Sequence, residues 1–196
     1  MPIFMIFIIL LAVAIFYVVA TYNRFVTIKK SRIKNAIQEI GNQLKRQANL
    51  IPNLTETVKG YLKHEKEIFE KITDARKSVN QALKSNDAQK MIDASTQLQT
   101  ALNPIRVVLE STPEIKGAQP TVKLMDELRD TADKLTYSRR TLIDLVADYN
   151  RMVATVPSKF VALLFNFKEE PGLKMPETGE HLEVSSQELK TPEVKL

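Results

Sequence analysis

The sequence predicts an all-α protein, with a single N-terminal transmembrane helix followed by an antiparallel four-helix bundle. Three observations lead there. The chain of 196 residues is 44% hydrophobic but holds only five glycines, too few turn residues for an all-β domain. Its opening residues form an unbroken apolar run. Beyond that run, apolar residues recur at spacings of three and four, the period of one helix face. The expected division is an anchor at residues 1–21, a bundle at 22–167 and a disordered tail at 168–196.

The anchor comes first. "IFMIFIILLAVAIFYVVA", residues 3–20, carries no charge and spans roughly 27 Å as a helix, close to the hydrocarbon thickness of a bilayer. A cleaved signal peptide is the rival, since Val18 and Ala20 would make a tolerable cleavage site, and a buried core helix is the third reading, disfavoured because nothing polar interrupts any face. Two features favour the anchor: no Lys or Arg precedes the run, and the run exceeds the roughly 7 to 15 residues of a signal core. Arg24, Lys29, Lys30, Arg32 and Lys34 crowd the turns that follow. Such asymmetry predicts an N-terminus outside the cell membrane and a bundle in the cytoplasm. The same cluster is either a topology signal alone or a surface that holds anionic lipid headgroups.

Four stripes follow. Ile33, Ile37, Ile40, Leu44, Ala48 and Ile51 mark a first helix, continuous with the anchor. Pro52 then interrupts it, and Leu54, Val58, Tyr61, Glu65, Ile68, Ile72, Ala75, Val79 and Ala82 mark a second. A proline in the first turn of a helix loses no hydrogen bond. With Asn49 and Asn53 beside it as turn and capping residues, Pro52 is therefore read as the tip of a tight helical hairpin, with a kinked continuous helix as the less favoured alternative. "SNDA" at residues 85–88 supplies cap chemistry for a third helix through Met91, Leu98, Leu102, Ile105 and Leu109. After "STPEIKGAQP", a fourth runs through Leu128, Leu135, Arg139, Leu142, Val146, Tyr149 and Val153 to Pro157. Short connections make the four an antiparallel bundle.

Several stretches carry a resemblance. "LKRQANLIPNLTETVKGYLKHE", "ESTPEIKG" at residues 110–117 and "YNRMVATVPSKFVALLFNF" at 149–167 resemble the LemA family of bacterial membrane proteins, from the anchor to about Phe167. Gln47 and Asn49 stand where the family usually has an arginine and an aspartate, and Leu142 and Ile143 where it usually has a Tyr-Asn pair. The resemblance implies an N-terminally anchored four-helix cytoplasmic domain. It implies no reaction.

Two charges interrupt the stripes, Glu65 in the second helix and Arg139 in the fourth. If those helices end together at Lys84 and Val156, both charges lie roughly 26 to 29 Å back from that end and can meet across the core. A buried charge pair, shared with Tyr149, is the economical expectation, because neither group stays ionised alone in an apolar interior. A pair that fixes helix register is favoured over a ligand pocket.

Other chemistry is poorly supported. The chain has no cysteine, which removes disulfides, thiolate metal sites, thiol nucleophiles and the usual lipidation sites. His64 beside Glu65 is a weak metal candidate, since adjacent helix residues diverge and the other histidine, His181, lies in the tail. No phosphate loop, nucleophile elbow or nucleic-acid motif occurs. We therefore expect no catalytic, cofactor or metal site and no nucleic-acid partner. From Lys168 the composition turns to Pro, Glu, Lys and Ser, and disorder is expected. "FVALLFNF", just before, is expected to cap the bundle rather than lie in the membrane.

The expected function is a non-enzymatic scaffold that meets the bilayer, recruits a protein partner or helps organise the membrane. The alternative is a membrane-tethered ligand or pH sensor built on the core polar pair.

Overall fold

The computed structural model describes residues 2–60, 66–112 and 118–174, and all regular structure among them is helical. The first helix, α1, runs without interruption over Pro2–Val58, 57 residues. From residue 3 to residue 17 all its side chains are exposed. This is the one helix among the described residues long and apolar enough to cross a membrane. Burial begins at Thr21 and Phe25.

Between anchor and bundle, α1 changes its winding. Thr27–Ile33 is a π-helical stretch, a wider turn bonded from residue i to i+5. The cause is visible in the buried face. Thr21, Phe25 and Ile28 are buried at steps of four and three, and Ile33, Ala36 and Ile40 at steps of three and four, but Ile28 to Ile33 is a step of five. An α-helix would turn one of the two sets outward. The wider turn keeps both inward.

Pro52 corrects the expected hairpin. It lies inside α1, on the exposed face, and so do Asn49 and Asn53. A proline here removes one rung of the ladder, but the rung is solvated. Leu44, Ala48, Ile51, Leu54 and Val58 are all buried and stay in phase through it. Packing therefore holds the helix together past the proline. α1 ends at Val58, where the Lys59 amide donates to the Glu56 carbonyl at 3.4 Å.

The chain returns as α2, Lys66–Ser85, and turns tightly into α3, Ala88–Ser111. Asn86 takes the left-handed conformation, φ 50°, which asparagine tolerates better than most residues. Asp87 then caps α3, its Oδ1 accepting from the amides of Gln89 at 2.9 Å and Lys90 at 3.1 Å. That is the chemistry expected of "SNDA". α4, Gln119–Ala154, begins with Pro120 in its first turn, and α5 is a short helix over Ser158–Leu164. α1 is the spine: α4 packs along one side of it and the α2–α3 hairpin along the other. One core joins them through Ile40, Leu44, Leu54, Leu98, Leu102 and Leu128.

Candidate functional site

The densest concentration of polar and aromatic contacts lies where the anchor meets the bundle. α1 brings Tyr22, Phe25 and Lys29 to this end, the last two on one face at i and i+4. α4, antiparallel to α1, delivers Tyr149 and Asn150. Tyr149 is fully buried and stands edge-on to Phe25, centroids 5.7 Å apart at 82°. After α5 the chain doubles back through Asn166, again left-handed at φ 53°, and the Phe167 amide donates to the Ala162 carbonyl at 2.9 Å. This return stacks Phe167 on Phe25, 4.7 Å and 20°, and places Phe165 4.7 Å from Tyr22.

Residues 168–174 then strap across the top. Asn150 and Glu170 pair reciprocally: Nδ2 donates to the Glu170 carbonyl at 2.9 Å, and the Glu170 amide donates to Oδ1 at 2.8 Å. The Glu170 carboxylate holds Lys29 Nζ at 2.5 Å, and that ammonium lies 5.7 Å from the Tyr149 ring centroid, within cation–π range. Farther on, the Lys174 amide donates to Gln89 Oε1 at 2.8 Å. The strap roofs a cavity of about 540 Å³ walled by Ile33, Ile37, Leu142, Val146 and Leu173. We call this arrangement the latch. It corrects the expected disorder for residues 168–174; residues 175–196, His181 among them, lie outside the described residues.

The electrostatics follow from the geometry. The hydrogen bond that the Lys29 ammonium donates to Glu170 holds its pKa above the ordinary value, against the smaller opposing effect of burial. Burial pushes the Tyr149 phenol up, and its hydroxyl finds no hydrogen-bond partner among the described residues. The latch is thus a structural clasp of one ion pair, one amide pair and an aromatic stack.

Of the residues singled out in sequence, Tyr149 is buried as expected but sits with Phe25, Lys29 and Glu170 rather than with Arg139. Arg139 is half-buried and makes no ion pair among the described residues. Glu65 and His64 lie outside the described residues. The helix alignment from which their meeting was inferred differs from the observed one: the end of α2 at Ser85 shares a cavity wall with Leu142 and Val146, well short of Val156. Arg139 therefore stands level with the last turns of α2, whose start at Lys66 is roughly 20 Å away along the axis. Arg24, Lys30, Arg32 and Lys34 are exposed, as a membrane-surface cluster requires, but Lys29 turns inward to the latch. Among the described residues no group of His, Asp or Glu is placed to hold a metal ion.

The structural roles of three positions were not read from the sequence. Lys29 could have been found from its place four residues after Phe25. Asn150 belongs to the quoted "YN" pair, but its partner is twenty residues away and shares no local pattern. Gln47, between Leu44 and Ile51 in the stripe, is fully buried with neither amide atom hydrogen-bonded among the described residues.

Residues 36–186 match the family model described as the LemA family. The chain belongs to the LemA family. Comparison with curated proteins gives no match. The LemA match opens at Ala36, just past the π-helical stretch, so the apolar span and the whole basic cluster lie ahead of it, while Tyr149, Asn150, α5 and the strap lie within it. The LemA-like stretch "YNRMVATVPSKFVALLFNF" supplies Tyr149, Asn150, Phe165 and Phe167 to the latch, whereas Phe25, Lys29 and Glu170 come from outside it.

Proposed function

We propose that this LemA chain is a membrane-anchored, non-catalytic scaffold whose cytoplasmic bundle presents partner-binding grooves at a fixed distance and orientation from the bilayer. One observation carries the reading: the apolar span and the spine of the bundle are a single helix, Pro2–Val58, clasped at their junction by the latch. A tether needs only a flexible linker. An unbroken helix transmits position, and rigid display is of use to a protein that assembles others on a membrane. Two open grooves offer surfaces: one of about 620 Å³ between α1 and α4, lined by Ala36, Glu39, Gln43, Tyr137 and Ser138, and one of about 540 Å³ between α2 and α3, lined by Ile68, Ala75, Thr96, Ala101 and Pro104. The cytoplasmic side is supported by the basic residues that follow the apolar run, four of them exposed.

Crosslinked pull-down from intact membranes tests it. The expected result is a defined partner set that is captured by the wild type and lost when a flexible Gly-Ser insert follows Lys34, although anchor and bundle remain present. Equal capture with and without the insert would refute rigid display. In sealed cells, external protease should spare the bundle; its digestion would reverse the orientation.

A further inference from the structure

We propose that α5 is a second membrane contact, an interfacial foot that lies in the boundary of the same leaflet from which the anchor emerges. The proposal rests on the anchor reading above and adds a site to it. α5 presents two unlike faces. Val161 and Ala162 are buried against the bundle, whereas Phe160, Leu163 and Leu164 are 65%, 69% and 70% exposed, and Val156 just ahead is 68% exposed. Within α5, Phe160, Leu163 and Leu164 fall at i, i+3 and i+4, one side of the helix, and Val156 adds an exposed apolar side chain in the turn before it. Capping the core needs only the first face. The second is left uncovered by the described residues.

Its place in the fold identifies what covers it. Tyr149 on α4 is level with Phe25 on α1, and the two helices are antiparallel, so Ala154 lies roughly 7 to 8 Å farther toward the anchor, about level with Ala20, the last residue of the apolar run. α5 packs on the first helix at this height, with Phe165 against Tyr22. The exposed apolar face of α5 is therefore continuous with the apolar surface of the anchor where that surface leaves the hydrocarbon. An apolar helix face at this depth is buried in the headgroup–acyl boundary. The flanking residues suit the same boundary: Tyr17 and Tyr22 on the anchor and exposed Lys159, Arg24 and Lys30 around it. Two attachments, one spanning and one lying flat, fix the tilt of the bundle as well as its height.

The chain has no tryptophan, so single tryptophans report depth cleanly. The full chain is reconstituted in phosphatidylcholine–phosphatidylglycerol vesicles with lipids brominated either near the headgroup end or near the methyl end of the acyl chain. Phe160→Trp and Leu163→Trp should lose more emission to the shallow bromines than to the deep ones. Leu10→Trp, in the middle of the anchor, should show the reverse, and Tyr137→Trp, exposed on α4, should lose none. All four positions are exposed, so folding is not at stake. Emission from Phe160→Trp that matches Tyr137→Trp while Leu10→Trp is quenched would overturn the foot and leave the anchor standing. In that outcome, a blue shift that grows with the number of chains per vesicle would assign the face to a second copy. Failure of Leu10→Trp to be quenched would overturn the anchor, and the foot with it.

Discussion

Helix α1 departs from a regular ladder at two places that are opposite in kind. At Pro52 the ladder loses a rung and the helix continues as though nothing had happened, because Ile51, Leu54 and Val58 stay on the buried face. At Thr27–Ile33 there is neither proline nor glycine, yet the winding changes, because Ile28 and Ile33 are five residues apart and both are buried. The local residue that forbids a bond matters less than the phase of the stripe that must be buried. One missing hydrogen bond on a solvated face is a modest cost, whereas turning a fully buried Leu or Val outward costs roughly 1.5 to 3 kcal/mol per side chain.

The largest expected effect separates the two places directly. Deleting Asn53 rotates Leu54 and Val58 off the core and should cost about 3 to 6 kcal/mol, from two buried side chains. Deleting Ser31, equally exposed, removes the surplus residue, returns the π stretch to α geometry and leaves Ile28 and Ile33 in phase, for a cost below about 1 kcal/mol. Chemical denaturation of the full chain in detergent measures both. Equal losses would mean that phase is not what the wider turn preserves.

Pro52→Ala comes next. Because the proline is interior to the helix, the substitution restores an amide donor to the Ala48 carbonyl and should stabilise the bundle by about 1 to 3 kcal/mol. A neutral or destabilising result would place Pro52 at a helix start instead.

The same contrast explains what could be read in sequence. The helical periodicity, the apolar span and the Asp87 cap are local signals, and they were legible. The hairpin was misplaced because a breaker residue was weighed above the phase of its neighbours, although Ile51, Leu54 and Val58 already ran three and four apart. The latch was not legible. It joins Lys29, Asn150 and Glu170, from three distant segments, and composition marks residues 168–174 as tail because a strap held by backbone pairing to Asn150 and by Leu173 needs few apolar residues.

The smallest effect belongs to that latch. Glu170→Gln should lower stability by about 0.5 to 1 kcal/mol near neutral pH, as befits a partly exposed pair. Its pH dependence has a definite sign. A lysine whose folded pKa is raised above 10.5 contributes fully below that value and loses its contribution as pH rises through the folded pKa. The gap between wild type and Glu170→Gln should thus be flat from neutral to mildly alkaline pH and close above it. Burial of Tyr149, which disfavours its phenolate, weakens both proteins in the same alkaline range. A gap that persists at high pH would mean that Glu170 acts through its backbone pairing with Asn150 alone.

The central claim is that one helix carries the anchor through the whole bundle past Pro52. Spin labels at Lys34→Cys and Glu56→Cys, both exposed positions in a chain without cysteine, measure it directly in lipid nanodiscs. An unbroken helix predicts a separation of roughly 33 Å, from about 1.5 Å per residue. A chain folded back at Pro52 would bring Glu56 beside Ala48 and shorten the separation to about 22 Å, which would contradict the account.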